Sequence, residues 1–288
     1  MRNTIIVISG PTASGKTKKA VEICKEINGE IISCDSRQVY KYLDVGTNKE
    51  GVFIQDGIRK IGKICQFLTD IINPNENYNA IQFVKDADSK ISKIIKNGKV
   101  PVIVGGTGLY IKALLYGLDE MPKADESVRK ELKSKTQREL YESLLKLDPV
   151  AAEKNKRNPQ RLLRTLEINM LSGKTMEALI KKPKASRYNF KHYSLIVEND
   201  VLYDRINSRC KLMIEKGMIE ETIKILDMGY DKNCHALSGI GYKHVIQCLD
   251  KKISIEELIT AFAKDTRHYA KRQKTWFKAQ PDIEFVLG

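Results

Sequence analysis

The octapeptide GPTASGKT at Gly10–Thr17 constrains this chain more than any other feature. It fits G-x-x-x-x-G-K-[ST] and lies between an apolar run, TIIVIS at 4–9, and a stretch of helical periodicity from 15 to 28. In that strand–loop–helix context the glycines let backbone N–H groups turn around phosphate oxygens, and the helix N-terminus adds its positive end. Gly10, Pro11, Thr12, Ala13, Ser14, Gly15, Lys16 and Thr17 are therefore expected to hold a di- or triphosphate. Lys16 supplies a point charge, and the Thr17 hydroxyl is placed for Mg²⁺. The loop says neither what the phosphates are attached to nor whether a phosphoryl group moves.

Two further strands follow the same logic. EIISCD ends at Asp35, and VPVIVGG covers 100–106 ahead of a helix from about Leu109. Strands alternating with helices predict an α/β fold, a P-loop NTPase-like parallel sheet flanked by helices. In such sheets ligands gather at the carboxyl ends of strands, where the phosphate loop, Asp35-Ser36 and the GGT of 105–107 all fall. Asp35 reads as a carboxylate able to take a proton from a nucleophile, or as a turn cap. Thr107 offers a hydroxyl at the sheet edge, although a plain strand-to-helix turn accounts for the glycines before it.

From Pro122 to Lys191 the pattern turns helical throughout, in ADESVRKELKSK, QRELYESLLKLDP, PQRLLRTLEINMLSG and KTMEALIKKP, the last three closed by Gly or Pro. This predicts an inserted all-helical domain at 122–191, between core segments 1–121 and 192–288. HYSLIVEN at 192–199 returns to strand character, and 200–280 is again mainly helical.

Of the net charge of +14, the block 122–191 carries +9 and 262–280 carries +5. Clustered basic charge is the footprint of a polyanion binder, and a Lys-rich solvated surface gives the same count. Arg157, Arg161 and Arg164 recur at helical spacing. Tyr269, Trp276 and Phe277 alternate with Arg267, Lys271, Arg272 and Lys274, which suits RNA, where bases stack and phosphates pair. A helix packing its aromatics inward and snorkelling its lysines reads alike. The cysteines form no CxxC pair and His is scarce, which argues against structural zinc and for a reducing, cytoplasmic setting. No apolar run is long enough to span a membrane, and the first one passes straight into the phosphate loop, as a buried strand would.

Taken together, GPTASGKT, DSRQVYKYLDVGTNK, VPVIVGGTGLYIKALLYGL, DPVAAEKNKRNPQRLLRTLEINMLSGKT, SGIGYKHV and TRHYAKRQKTWF resemble the bacterial tRNA dimethylallyltransferase (tRNA isopentenyltransferase) family. They run in family order from residue 10 to 277. The resemblance implies a P-loop core and a helical insert that grips the anticodon stem-loop of tRNA. It also implies transfer of a dimethylallyl group from its diphosphate to N6 of adenine 37, with Mg²⁺, by a monomer. It makes Asp35 the general base, Thr107 its hydroxyl partner and Arg209 the cation facing the leaving diphosphate. It places tRNA contacts at Asp35, Ser36, Arg37, Gln38, Arg129, Gln160, Arg161, Leu162, Leu163, Arg164, Ser238, Gly239, Ile240, Gly241, Tyr242 and Lys243. The sequence departs from the family at Glu50, usually Pro, and in GVFIQDGIRKIGKICQFLTDI, which lacks a His-rich turn. NPQR also lacks an acidic residue often found there. Rival readings are a relative that prenylates free adenine nucleotides, which has no use for the +9 insert, a P-loop kinase or ATPase, and a non-catalytic RNA binder.

Overall fold

The computed structural model describes residues 4–180 and 185–288. Residues 1–3 and 181–184, the latter overlapping the end of the predicted helix KTMEALIKKP, lie outside the described residues. The chain opens with β1 (Ile5–Ser9), α1 (Lys16–Ile27) and β2 (Gly29–Ser33). Three short strands follow, β3 (Val52–Gln55), β4 (Ile58–Ile61) and β5 (Ile64–Phe67), then α2 (Ala80–Lys96), β6 (Val100–Gly105) and α3 (Gly108–Tyr116). Asn79 and Gln82 form a capping box that starts α2, satisfying orphan N–H groups at its first turn.

The helices α4 (Glu126–Lys133), α5 (Gln137–Leu147), α6 (Pro149–Asn155), α7 (Pro159–Ser172) and α8 (Met176–Leu179) come next. Their boundaries are written in the sequence. Asp125, Thr136, Asp148 and Asn158 cap N-termini through side-chain oxygens, Pro149 and Pro159 occupy first turns, and Gly173 closes α7 in the left-handed region. The chain then returns through β7 (Phe190–Ile196), α9 (Asn199–Glu215), α10 (Met218–Asp227), α11 (Tyr242–Leu249), α12 (Ile255–Lys278) and β8 (Glu284–Leu287). No helix among the described residues is long and apolar enough to cross a membrane.

The strands make one sheet in the order β3-β4-β5-β2-β6-β1-β7-β8. From β5 to β8 all pairings are parallel, while β3, β4 and β5 pair antiparallel. The sheet is thus mixed rather than purely parallel, because residues 52–67 add a meander at one edge. β1 and β2 are almost wholly buried, which is why they read as unbroken apolar runs. Each buried Ile or Val there stabilises the fold by roughly 1.5–3 kcal/mol. β2 stops at Ser33 rather than Asp35, although Cys34 still donates to Val104 O at 2.7 Å.

Contacts divide the chain into two compact units, one of residues up to Leu115 plus Ser186 onward, the other Tyr116–Ala185. The helical unit is therefore wider at its start and shorter at its end than 122–191, and β7 opens at Phe190 rather than 192. Its core is Leu132, Leu140, Leu144, Ala152, Leu162 and Leu166, drawn from α4 to α7.

Candidate active site

The register of the central strands pairs Ser9 with Gly105 and Ser33 with Val104. The carboxyl ends of β1, β2 and β6 are level, so the phosphate loop, the Cys34–Asp35 turn and Gly106-Thr107 lie side by side. Here the GGT glycines answer to close approach. A Cβ on Gly105 would sit 1.9 Å from Cys34 O, and one on Gly106 would sit 2.2 Å from Gln273 Nε2. Gly10, Ala13 and Gly15 take positive φ values as the loop turns around its centre.

Gln273 of α12 fixes this arrangement from the far end of the sequence. Its Oε1 accepts from Thr12 N at 2.8 Å, and its Nε2 donates to Gly106 O at 2.9 Å. The phosphate loop and the GGT turn are thereby tied through one buried amide. Ser36 N donates to Thr107 Oγ1 at 3.1 Å, so Thr107 joins the ends of β2 and β6.

A cavity of about 300 Å³ opens over the loop, lined among others by Lys16, Thr17, Asp35, Glu50 and Arg209. A second, of about 260 Å³, has a mixed lining, with Ile206, Met213, Phe262 and Tyr269 beside polar groups such as Ser36, Arg37 and Thr266. Thr12, Asp35, Thr47 and Arg209 line both cavities. Thr107 lines neither.

Lys16 Nζ donates to Pro11 O at 2.6 Å. Burial and the neighbouring Arg209 guanidinium bring its pKa down to about 7, against the pull of Asp35. Burial likewise lowers Arg209, opposed by Cys210, Asp35 and Glu50. Asp35 Oδ1 accepts from Arg37 N at 2.8 Å and Gln38 N at 3.3 Å, so the carboxylate caps its own turn while it faces both cavities. Glu50 is accessible at the rim of the cavity that Thr17 also lines. Desolvation pushes its carboxyl up, with Arg209 and Thr17 opposing. Among the described residues no three His, Cys, Asp or Glu cluster to cage a metal. Thr17 and Glu50 are hard oxygen donors, and such a small set fits Mg²⁺, which takes its remaining ligands from water and phosphate.

The loop carrying Gly46, Thr47 and Glu50 is held from two sides. Glu221 of α10 accepts from the backbone N–H groups of Asp44, Val45 and Gly46 at 2.6, 2.7 and 3.1 Å, and from Tyr242 Oη at 2.6 Å. Lys49 Nζ, with no exposed side-chain surface, donates to Tyr40 O, Asp44 and Asp70. Arg59 of β4 binds the same two carboxylates. Sequence reasoning missed Gln273, Glu221, Asp70 and Arg59. Gln273 stands inside the quoted TRHYAKRQKTWF without a role, and the others partner residues distant in sequence.

The expected tRNA contacts scatter. Arg37 donates to His235 O at 2.8 Å beside Gly239, and Ser36, Arg37, Ser238 and Ile240 line the second cavity. Gln38 is engaged by Ser33 and by the carbonyls of Thr47 and Asn48. Gly241 is held close to Met218 and Phe262, and Lys243 pairs with Asp265. Tyr242 and Leu162 are buried, 1% and 0% exposed, so their side chains serve cores rather than a surface. In the helical unit Arg129 and Arg164 both bind Glu167, which is fully buried. Gln160 and Arg161 are exposed and Leu163 is half-buried. Arg157 lies in the turn before α7, not on the helix with Arg161 and Arg164. Along α12, Phe277 packs inward, Tyr269 lines the second cavity and Trp276 Nε1 is buried.

A family model described as IPP transferase matches residues 38–280. A tRNA dimethylallyltransferase from Endomicrobium trichonymphae is 72% identical over 283 residues, covering 98% of this chain and 94% of its own. The crystal structure of the full-length tRNA isopentenylpyrophosphate transferase from Bacillus halodurans superposes with a TM-score of 0.70 at 37% identity, over 99% of this chain and 90% of that one. A eukaryotic dimethylallyltransferase captured acting on tRNA superposes with a TM-score of 0.79 at 26% identity, over 99% and 73%. A phosphate loop pinned to a carboxylate-bearing turn, matched over nearly the whole length by these proteins, places the chain in the tRNA dimethylallyltransferase (IPP transferase) family.

Proposed function

We propose that this chain transfers a dimethylallyl group from dimethylallyl diphosphate to N6 of adenine 37 in the anticodon loop of tRNA, releasing diphosphate. The observation that carries this reading is the pair of cavities meeting at Asp35 and Arg209, one lined by the phosphate loop, the other with an apolar wall of Ile206, Met213, Ile240 and Phe262 beside polar groups. A diphosphate seated on the loop directs its allylic carbon toward the shared wall. The adenine amine arrives from the other side, its base out of the stack.

An exocyclic amine is a poor nucleophile because its lone pair is delocalised. The N6–carbon bond forms as the allylic carbon–oxygen bond breaks, and that bonding pair leaves with the diphosphate. Asp35 takes the amine proton, and its Oδ1 is already oriented by the Arg37 and Gln38 N–H groups. Lys16, Arg209 and the loop N–H groups meet the charge that builds on the leaving group. Mg²⁺ held at Thr17 would add to that neutralisation. Diphosphate next to Lys16 favours its ammonium, offsetting the desolvation that lowers it. Thr107 acts by holding Ser36, hence the Asp35 turn. The helical unit supplies basic surface for the RNA. We propose further that the protein works as a cytoplasmic monomer.

Incubation with dimethylallyl diphosphate, Mg²⁺ and unmodified tRNA, followed by nucleoside mass analysis, tests the reading. The expected product is dimethylallyl-adenosine from the anticodon loop. Transfer to free adenine nucleotides instead, or steady phosphate release from ATP, would overturn it.

A further inference from the structure

We propose that Gln273 is a positioning residue for the transfer, setting the spacing between the seat of the leaving diphosphate and the turn that carries Asp35; this rests on the prenyl-transfer reading above. Two lines of contact run from its side chain. Its Oε1 accepts from Thr12 N at 2.8 Å, inside the phosphate loop. Its Nε2 donates to Gly106 O at 2.9 Å. The next residue is Thr107, whose Oγ1 accepts from Ser36 N at 3.1 Å, beside Asp35. The phosphate loop and the Asp35 turn leave different strands, β1 and β2, and β6 lies between them. Gln273 joins the loop to the end of β6, and Thr107 joins the end of β6 to the Asp35 turn.

The bridge calls for an amide. A backbone N–H can only donate and a carbonyl can only accept, so the group between them must offer an acceptor and a donor from one planar end. An ionised carboxylate only accepts, and an ammonium only donates. Gln273 is 6% exposed, so a lost bond leaves a buried polar group unpaired. The side chain is also delivered rigidly, because α12 lies close against the turn. A Cβ on Gly106 would sit 2.2 Å from Gln273 Nε2, and one on Gly108 would sit 2.1 Å from Trp276 Nε1. One helical turn before Gln273, Tyr269 lines the second cavity, which Thr12 and Asp35 line too. Transfer requires the reacting atoms to be aligned near contact, and a displacement of about 1 Å can cost about 10²-fold in rate. A slack bridge would let the leaving group and the base drift apart while each still bound its partner.

The test is single-turnover transfer from dimethylallyl diphosphate to unmodified tRNA by the full chain, well below the melting temperature of every variant. Affinity for inorganic diphosphate is read alongside by calorimetry. Gln273→Met keeps the length and loses both bonds. Its rate should fall by about 10²-fold, with diphosphate affinity changed far less. Gln273→Glu, when ionised, still accepts from Thr12 N but turns an acceptor toward Gly106 O; once protonated it regains a donor. Its rate relative to wild type should therefore rise as pH falls, while that of Gln273→Met stays level. Gly106→Ala, whose Cβ would displace the amide, should match Gln273→Met, and the double variant should be no slower than either. A wild-type rate in Gln273→Met would overturn the assignment. So would a loss of diphosphate affinity as large as the loss of rate, or a Gln273→Glu variant without acid rescue, since either leaves Gln273 a structural support. Absence of transfer by wild type would instead sink the prenyl-transfer reading itself, which no variant result can do.

Discussion

The phosphate cavity and the helical unit solve opposite problems with charge. Around the cavity the supporting polar groups are bonded to specific partners. Glu221 fills a nest of three backbone N–H groups, Lys49 and Arg59 share Asp44 and Asp70, and Gln273 bridges two loops. Desolvation there is strong enough to bring Lys16 to about 7. In the helical unit arrangements of this kind are fewer among the described residues, Glu167 between Arg129 and Arg164 and buried Asp148 under the Ala151 and Met176 N–H groups, while Arg157, Gln160 and Arg161 face solvent. The first region is pre-organised for a small anion at a fixed place. The second offers a field, which suits a long polyanion whose grip depends on summed charge.

The comparison breaks first at Asp35. Asn at this position can still accept from the Arg37 and Gln38 amides, so the turn survives while the base is lost. Single-turnover prenyl transfer should fall by about 10²–10⁴ with thermal unfolding nearly unchanged. Normal turnover would leave Asp35 a cap and nothing more. Lys16→Ala comes next, because it removes one donor from a leaving group that gains charge in the transition state. A loss of about 10²–10³, chiefly in kcat, is expected from steady-state kinetics. A change confined to KM would mean that Lys16 serves ground-state binding alone.

Acid separates the two regions by a subtler route. His192 is buried in β7 beside β1, its Nε2 2.9 Å from Ser9 Oγ. Burial lowers its pKa from 6.5 to about 4, with Asp282 opposing. Between those values the unfolded chain holds a proton that the folded chain refuses. The stabilisation is therefore complete above pH 6.5 and drains as pH falls toward 4, by about 3 kcal/mol at most. Residues 116–185 contain no histidine. Desolvation pushes Glu167 up, but Arg164, the Asp125 N–H and Arg129 outweigh it and hold the carboxyl below 4.5. A group depressed in this way keeps its contribution until pH falls below 4.5. Hydrogen exchange at pH 5 should thus show β1 and β7 opening while α5 and α7 stay protected, and His192→Gln should flatten the difference. Equal loosening of both units at pH 5 would deny His192 this role.

What could be read from sequence was local. The phosphate loop, the helix caps and the end of β6 announce themselves within a few residues, since their signals are backbone requirements. EIISCD ran two residues too far because Cys34 continues the ladder with Val104 after the strand proper has ended. The supports of the site lay out of reach. Gln273 meets Thr12 across 261 positions, and Glu221 meets Gly46 across 175. Neither leaves a local pattern. The meander of residues 52–67 was hidden for another reason. β3 is exposed throughout and is an edge strand, so it lacks the buried alternation that marks a strand. The resemblance marked positions such as Tyr242 and Leu162 without distinguishing groups that face a ligand from groups that carry the core beneath.

The smallest effect concerns the basic surface. Because Arg164 and Arg129 are bound to a buried carboxylate, replacing either also strips Glu167 of a partner, so lost tRNA affinity there would be mixed with lost stability. Arg157 and Arg161 carry no such burden, being exposed, and Arg161 contributes only its backbone N–H to the Asn158 cap. Wild-type log K for tRNA should fall against log salt with a slope of about −3 to −5, from roughly four to six phosphate contacts. In the double variant Arg157→Ala and Arg161→Ala the slope should shrink by about one per arginine, at unchanged melting temperature and unchanged diphosphate affinity. The gap between wild type and variant should therefore close as salt rises, since the variant releases fewer counterions and loses less affinity to added salt. A constant gap at every salt concentration would mean that these arginines read shape or bases rather than phosphates. An unchanged slope would move the RNA to another face of the protein.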